Sequence, residues 1–183
     1  SFCAIPAIRG KHISVPIEQL VKEASYLAKS GVKELILIAQ DLTYYGIDLY
    51  GERRLIQLIE ALSDIKGIVW IRLQYAYPHA FPEGLTQLIQ NNPKVCKYID
   101  LPLQHISSAL LKSMKRNIDR EKTISLIEKI RTEVPGIAFR TTLIVGYHGE
   151  TEEAFNELLD FIKTQRFERL GVFAYSPEEG TSA

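Results

Sequence analysis

The chain has 183 residues, 46% of them apolar and 24% charged, with 22 basic and 22 acidic side chains. That is enough chain for one domain with a proper core, and so ordinary a composition excludes a disordered, collagenous or coiled-coil protein. Zero net charge gives no global field to gather nucleic acid or an anionic membrane, no apolar run reaches the ~20 residues of a membrane span, and two cysteines, Cys3 and Cys96, are no disulfide scaffold, so a reducing, cytoplasmic setting is expected.

The chain opens on Ser1-Phe2-Cys3 without Met or signal peptide and ends abruptly at Ala183, and it reads as a piece of a longer protein. Pro16 suits the first turn of a helix whose apolar stripe is Ile17, Leu20, Val21, Ala24, Leu27 and Ala28. Residues 32–39 then read as a buried strand. Leu55, Ile56, Ile59 and Leu62 predict a second helix, 68–75 a second strand, and Leu85, Leu88 and Ile89 a short helix after Pro82. A strand over 98–103 precedes a helix marked by Ile124, Ile127, Ile130 and Val134. The remaining pattern is a strand over 138–146, a helix with Ala154, Phe155, Leu158, Leu159 and Ile162, and a strand over 170–175. Thr151 is placed to cap that last helix, with Glu152 and Glu153 in its first turn. Alternating strands and helices mean βα units and a parallel sheet. Five strands suit an open doubly wound sheet or a partial barrel, with a further strand expected before Ser1.

In parallel α/β folds, ligands bind where strands end at their C-termini. Those ends carry Gln40-Asp41, Tyr75-Ala76-Tyr77, Gln104-His105, Gly146-Tyr147-His148 and Tyr175-Ser176. Hydroxyl, amide and imidazole groups following apolar strands form a site-like ring, although loops are polar in any case. His105 and His148 are either acid–base groups or hydrogen-bonding loop residues, with His12 and His79 weaker candidates. Asp41 is a base, a ribose ligand or a turn cap. Cys96, before a strand and away from the site end, reads as a structural thiol. No zinc spacing, phosphate-binding glycine loop or nucleophile elbow occurs. The basic stretch from Lys112 to Arg131 is diluted by Asp119, Glu121 and Glu128 and reads as solvated helix faces.

Several segments, in order, resemble one family. Ser1-Phe2-Cys3-Ala4-Ile5-Pro6 with Arg9-Gly10 is similar to the tail of the C-x-x-x-C-x-x-C loop of radical S-adenosylmethionine enzymes in their methylthiotransferase form. The run from Ile144 to Thr151 is similar to that family's V-G-F-P-G-E-T segment, with His148 where the family usually has Pro. The runs from Ala39 to Gly46, Asp48 to Gly51, Trp70 to Leu73, Tyr75 to Pro78, Leu101 to Ser107 and Gly171 to Ser176, with Glu178-Glu179-Gly180-Thr181, resemble the branch that modifies a ribosomal protein. The tRNA-modifying branch typically reads G-Q-N-V-N-S-Y where this chain has Ala39 to Tyr45.

The resemblance implies a (βα)6 radical-SAM core, a parallel-stranded partial TIM-like barrel with its first strand and first two cluster cysteines upstream of Ser1. It places residues 1–183 in that truncated core, with an auxiliary-cluster domain upstream and a small β domain, TRAM, downstream. It also implies a 4Fe-4S cluster, S-adenosylmethionine, and a second 4Fe-4S cluster in the upstream domain. The reaction implied is methylthiolation of the β-carbon of an aspartate in a small-subunit ribosomal protein, driven through an electron donor protein, with no membrane and no direct nucleic-acid contact by this piece. By itself the piece is expected to be inactive. Cys3 matches the third cluster ligand and Phe2 the aromatic near the adenine. Ile144, Val145 and Gly146 match the segment flanking the adenine, Ala174 and Tyr175 the strand next to the base, and Gln104 and Ser107 the strand end near the ribose. Arg116 matches a position that meets a carboxylate. Gln40, Asp41, Tyr44 and Tyr45 lie in the loop expected to meet the substrate. A tRNA methylthiotransferase of the same family, a cluster-free barrel enzyme and a non-catalytic scaffold are the alternatives. A barrel enzyme of the aldolase kind needs a lysine or a carboxylate pair at the strand ends, where only Asp41 occurs.

Overall fold

A computed structural model describes residues 4–177. The elements run α1 (Ile5–Arg9), α2 (Ile17–Lys29), β1 (Glu34–Leu37), α3 (Ile47–Tyr50), α4 (Leu55–Ser63), β2 (Trp70–Leu73), α5 (Leu85–Asn91), β3 (Tyr98–Asp100), α6 (Ser108–Ser113), α7 (Arg120–Glu133), β4 (Ala138–Val145), α8 (Glu152–Gln165) and β5 (Arg169–Ala174). Short 3-10 turns occupy Leu42–Tyr44 and Pro78–Ala80.

The pairings β1–β2, β3–β4 and β4–β5 are all parallel. A narrower seam joins β2 to β3. There Ile71 bridges Val95, the Cys96 amide donates to the Ile71 carbonyl, and the Ala76 amide donates to the Asp100 carbonyl. The strand order is therefore sequential. A doubly wound sheet requires a reversal of winding, so of the two architectures open to the sequence this is the partial TIM-like barrel. Right-handed crossovers between successive neighbours put the connecting helices on one face.

That face is the core. Ile71, Leu73, Ile99, Leu101, Leu103, Phe139 and Leu143 from the strands are buried with Ile59 and Leu62 of α4, Ile89 of α5, Ile127 and Ile130 of α7, and Leu158 and Phe161 of α8. Full burial of one such side chain contributes about 1.5–3 kcal/mol. Among the described residues β1 hydrogen-bonds only to β2, and along its other edge a cleft of about 300 Å3 runs between residues 35–39 and Leu20, Ala24 and Leu27 of α2.

The strands are shorter than the apolar runs that predict them. β3 leaves its regular ladder after Asp100, yet the Leu101 amide still donates to the Arg140 carbonyl at 2.9 Å and the Gln104 amide to the Thr142 carbonyl at 2.9 Å. Pro16 stands at the N-cap of α2, one residue before the first turn. Thr151 caps α8 as expected, its hydroxyl accepting from the Ala154 amide at 3.2 Å. The basic stretch is largely paired, with Arg120–Glu157 at 2.9 Å, Lys122–Asp119 at 3.0 Å and Arg131–Glu168 at 3.1 Å. Helices α1, α3 and α6 and the 3-10 turns have no counterpart in the sequence reading, because elements of so few turns carry no periodicity to detect.

Candidate functional site

The C-terminal strand ends are stitched to one another. The Leu42 amide donates to the Tyr75 carbonyl at 3.0 Å, the Ile144 amide to the Gln104 carbonyl at 2.7 Å, and the Tyr175 amide to the Val145 carbonyl at 2.8 Å. These bonds bring Gln104, Ser107, Ile144, Val145, Gly146, Ala174 and Tyr175 to one rim over β3, β4 and β5. Two non-glycine rim residues have left-handed backbones, Tyr75 at φ 58° and Gln104 at φ 73°. Such conformations cost of order 1–3 kcal/mol and persist where the surroundings over-determine them.

His105 is what over-determines the β3 end. It is fully buried, and its Nδ1 accepts from the Ser107 amide at 3.0 Å. An accepting Nδ1 puts the proton on Nε2, which donates to Glu150 Oε1 at 3.0 Å. The other Glu150 oxygen accepts from the Gly146 amide. One carboxylate thus joins the loop after β3 to the loop after β4. Of the two readings open for His105, the hydrogen-bonding one is what the structure displays. His148 lies exposed in the turn between Gly146 and Glu150, and His79 is exposed in its 3-10 turn.

Beside this clamp, Tyr147 packs with Leu110 and Met114, and Ile144, Ala154 and Tyr175 close over them. The Tyr147 and Tyr175 rings meet edge-on at 5.0 Å. The buried Tyr175 hydroxyl has no hydrogen-bond partner among the described residues. At Gly146, with φ 75°, a Cβ would meet nothing within 4 Å among the described residues. Apolar walls, open space over a glycine and an unpaired buried hydroxyl fit a planar group with polar edges, such as a nucleoside. Arg116 donates to the Pro102 carbonyl at 2.6 Å, with its guanidinium 4.6 Å from the Tyr77 ring centroid.

The loop after β1 is pinned rather than open. Asp41 acts as a turn cap, accepting from the Thr43 amide at 2.9 Å and hydroxyl at 2.6 Å, while Gln40 is exposed. Tyr45 is 6% exposed and its hydroxyl donates to the Val15 carbonyl at 2.7 Å, so this residue anchors the loop and leaves little surface to face a substrate, contrary to its expected place. Tyr44 stays exposed, its ring 5.1 Å from that of His12. Ser14 donates from its amide to Asp48 Oδ2 at 2.6 Å and from its hydroxyl to Asp48 Oδ1 at 2.5 Å, and its hydroxyl accepts from the Gly46 amide at 3.0 Å. Gly46 has to be glycine here: its φ is 96°, and a Cβ would come within 2.9 Å of the Glu52 carbonyl. Hydrogen bonds from the Ser14 hydroxyl and then its amide hold the Asp48 carboxyl below the usual carboxylate range.

The face of the sheet turned away from the helices is the inside of the barrel, and strand alternation assigns its residues. With Ile71, Leu73, Ile99, Phe139 and Leu143 in the core, Glu34, Arg72, Tyr98, Asp100, Arg140 and Arg169 fall on the inner face. Arg72 Nε donates to Glu34 Oε1 at 2.6 Å, and its guanidinium lies 4.9 Å from the Tyr98 ring centroid. Arg140 donates to Asp100 Oδ1 at 2.8 Å. Sequence reasoning that looked only at strand ends passes over these groups and Glu150. The signal for the former was present as charges at alternate positions within apolar strands.

Phe2 and Cys3 lie outside the described residues, among which no group of three His, Cys, Asp or Glu side chains could hold a metal ion. Cys96 is half-buried beside β2, where burial pushes its thiol pKa up. Among the described residues no helix is long and apolar enough to cross a membrane.

Compared with known proteins, the chain is 60% identical over 183 residues to the ribosomal protein uS12 methylthiotransferase RimO of Flavobacterium johnsoniae, spanning 42% of that protein. It is 55% identical over 183 residues to the protein of the same name from Chloroherpeton thalassium, again spanning 42% of its length. Its fold is similar to that of Streptococcus suis SuiB, with TM-score 0.64 and 17% identity over 92% of this chain and 36% of that one. It is also similar to methylornithine synthase PylB, with TM-score 0.66 and 15% identity over 99% of this chain and 50% of that one. These likenesses agree with a parallel barrel whose strand ends form the rim. With the radical SAM superfamily model matching residues 1–162, the chain belongs to the radical SAM superfamily.

Proposed function

We propose that this chain is the catalytic core of a radical S-adenosylmethionine methylthiotransferase that modifies the β-carbon of an aspartate in a small-subunit ribosomal protein. The observation that carries this reading is the 54–61% identity, along essentially the whole chain, to proteins named as uS12 methylthiotransferases. The rim supports it independently. When bound, a 4Fe-4S cluster and S-adenosylmethionine supply the radical chemistry that an unactivated C–H bond demands. The chain's own residues bind and orient. Cys3 is a cluster ligand and Phe2 lies beside the adenine. Ile144, Val145 and Gly146 form one wall of the adenine pocket, and Ala174 and Tyr175 the other. Gln104 and Ser107 serve the ribose, and Arg116 a carboxylate. Gln40, Asp41 and Tyr44 meet the protein substrate, on a loop that Tyr45 anchors. A second 4Fe-4S cluster and an electron donor protein complete the system, which works in the cytoplasm where ribosomal proteins are assembled.

The test is mass spectrometry of ribosomal proteins and tRNA from cells lacking the full-length gene. Loss of a methylthio mass from the small-subunit protein, with tRNA unchanged, is expected. Loss from tRNA alone moves the chain to the tRNA-modifying branch. In the full-length protein, Cys3→Ala should abolish loading of the S-adenosylmethionine cluster, read as iron per chain.

A further inference from the structure

The inner face of the barrel carries an organised set of charges that the rim residues do not use. Three guanidiniums, Arg72, Arg140 and Arg169, face two carboxylates, Glu34 and Asp100. All three arginines and Asp100 are close enough to Tyr98 to act on its phenol electrostatically. Asp100 is fully buried and both its oxygens are occupied. Oδ1 holds Arg140 at 2.8 Å, and Oδ2 accepts from the Tyr75 amide at 3.2 Å. The second bond fixes a residue whose backbone is left-handed at φ 58°, at the C-terminal end of β2. One buried acid therefore orients both an arginine and a strained tyrosine on the inner face, with Thr142 and Ile144 leading from Arg140 up the same face of β4 to Gly146. Strained backbones held in this way concentrate where geometry serves a ligand.

The three arginines differ in what they have left to give. Arg72 has its Nε committed to Glu34 and its plane lies against Tyr98. Arg169 is exposed at the start of β5 and donates to the Glu168 carbonyl. Arg140 is 34% exposed on the inner face, and among the described residues its side-chain hydrogen bond to Asp100 uses a single N–H of the five in its fork. Its hydrogen bond to the Asp100 carboxylate, and then the charge of that carboxylate, hold it charged more firmly than usual despite partial burial.

A substrate aspartate arrives ionised, and an unpaired carboxylate inside a barrel is costly to desolvate. A planar guanidinium already oriented by a buried acid answers that need, and it discriminates a carboxylate from an amide. We propose that Arg140, oriented by Asp100 beside Tyr75, is the subsite that receives the carboxylate of the substrate aspartate and selects it over asparagine. This rests on the functional reading above.

The test uses the full-length, cluster-loaded enzyme and two synthetic peptides of the ribosomal-protein loop, one with the target aspartate and one with asparagine. Peptide binding, peptide KM and kcat, and S-adenosylmethionine affinity are measured for wild type, Arg140→Lys and Arg140→Gln. Arg140→Lys keeps the charge beside Asp100 and loses the fork, so it carries the test if Arg140→Gln does not fold. The expected result is a rise in KM for the aspartate peptide of about tenfold or more in Arg140→Lys. The aspartate-over-asparagine preference in binding should fall with it, and S-adenosylmethionine affinity should stay within about twofold. Unchanged KM and unchanged preference in Arg140→Lys would overturn the subsite while leaving the functional reading intact. Loss of S-adenosylmethionine affinity in parallel with KM would also overturn it, because the pair would then be structural. A wild-type enzyme that ignores the peptide and modifies tRNA overturns the functional reading and the subsite together.

Discussion

Glu150→Ala removes the carboxylate that joins the loops after β3 and β4, and the structure sets the size of the effect. The Glu150 side chain is 7% exposed and His105 0%, so the substitution leaves the His105 Nε2–H buried without an acceptor. A buried donor left unsatisfied costs about 1–3 kcal/mol. The Gly146 amide also loses its acceptor, but it is exposed and water replaces the carboxylate there. The sum is about 2–3 kcal/mol, dominated by His105. Because each 1.4 kcal/mol is tenfold, amide exchange through local opening should accelerate roughly 30- to 150-fold. The bonds at stake are the Ser107 and Gly146 amides, so hydrogen–deuterium exchange should show the increase over 103–112 and 140–150 and leave 68–75 unchanged. Glu150→Gln keeps one acceptor for His105 but turns an amide N–H toward Gly146, and should fall between the two. Exchange at Ser107 and Gly146 within about twofold of wild type in Glu150→Ala would refute the clamp. An equal increase across β1 and β2 would refute its local character.

Thr151→Ala should lower stability by about 1 kcal/mol through loss of the α8 cap, read as a shift in the thermal midpoint. Burial, and then the neighbouring Tyr50, push the Tyr45 hydroxyl up to about 12 from an ordinary 10.0. A raised folded-state pKa is stabilising below the unfolded value, so Tyr45's contribution should be intact below pH 10 and lost as pH climbs toward 12, and Tyr45→Phe should flatten that slope in denaturant titrations. Asp48 has the opposite sign. Its folded pKa is depressed, so the Ser14–Asp48 link stabilises above the ordinary 3.8 and is lost as pH falls through the lowered value. In Ser14→Ala the Asp48 carboxyl should titrate nearer 3.8, measured by side-chain carbonyl NMR.

Much of the fold was legible because long periodic patterns average over many residues. The stripe from Ile17 to Ala28 became α2, and Thr151 capped α8 where the sequence places it. The rim was legible too, since strand ends predict where polar groups collect, and Gln104, Gly146 and Tyr175 do share it. Three things were not legible. The local pattern left open the choice between a doubly wound sheet and a partial barrel, which only the family resemblance pointed to, because strand order is decided by hydrogen bonds between distant residues. The roles of individual loop residues were equally hidden: Tyr45 is an anchor because its hydroxyl finds Val15, thirty residues away in sequence. The clamp and the inner face form the third. His105 and Glu150 are 45 residues apart, and Asp100 meets Arg140 across 40 and Tyr75 across 25. The sequence by itself determined which residues prefer helix, strand or turn, because those preferences are set by each side chain and its near neighbours. Only the tertiary structure decided which charges and hydroxyls meet, because such partners are chosen by the register and stagger of strands, which no local preference encodes.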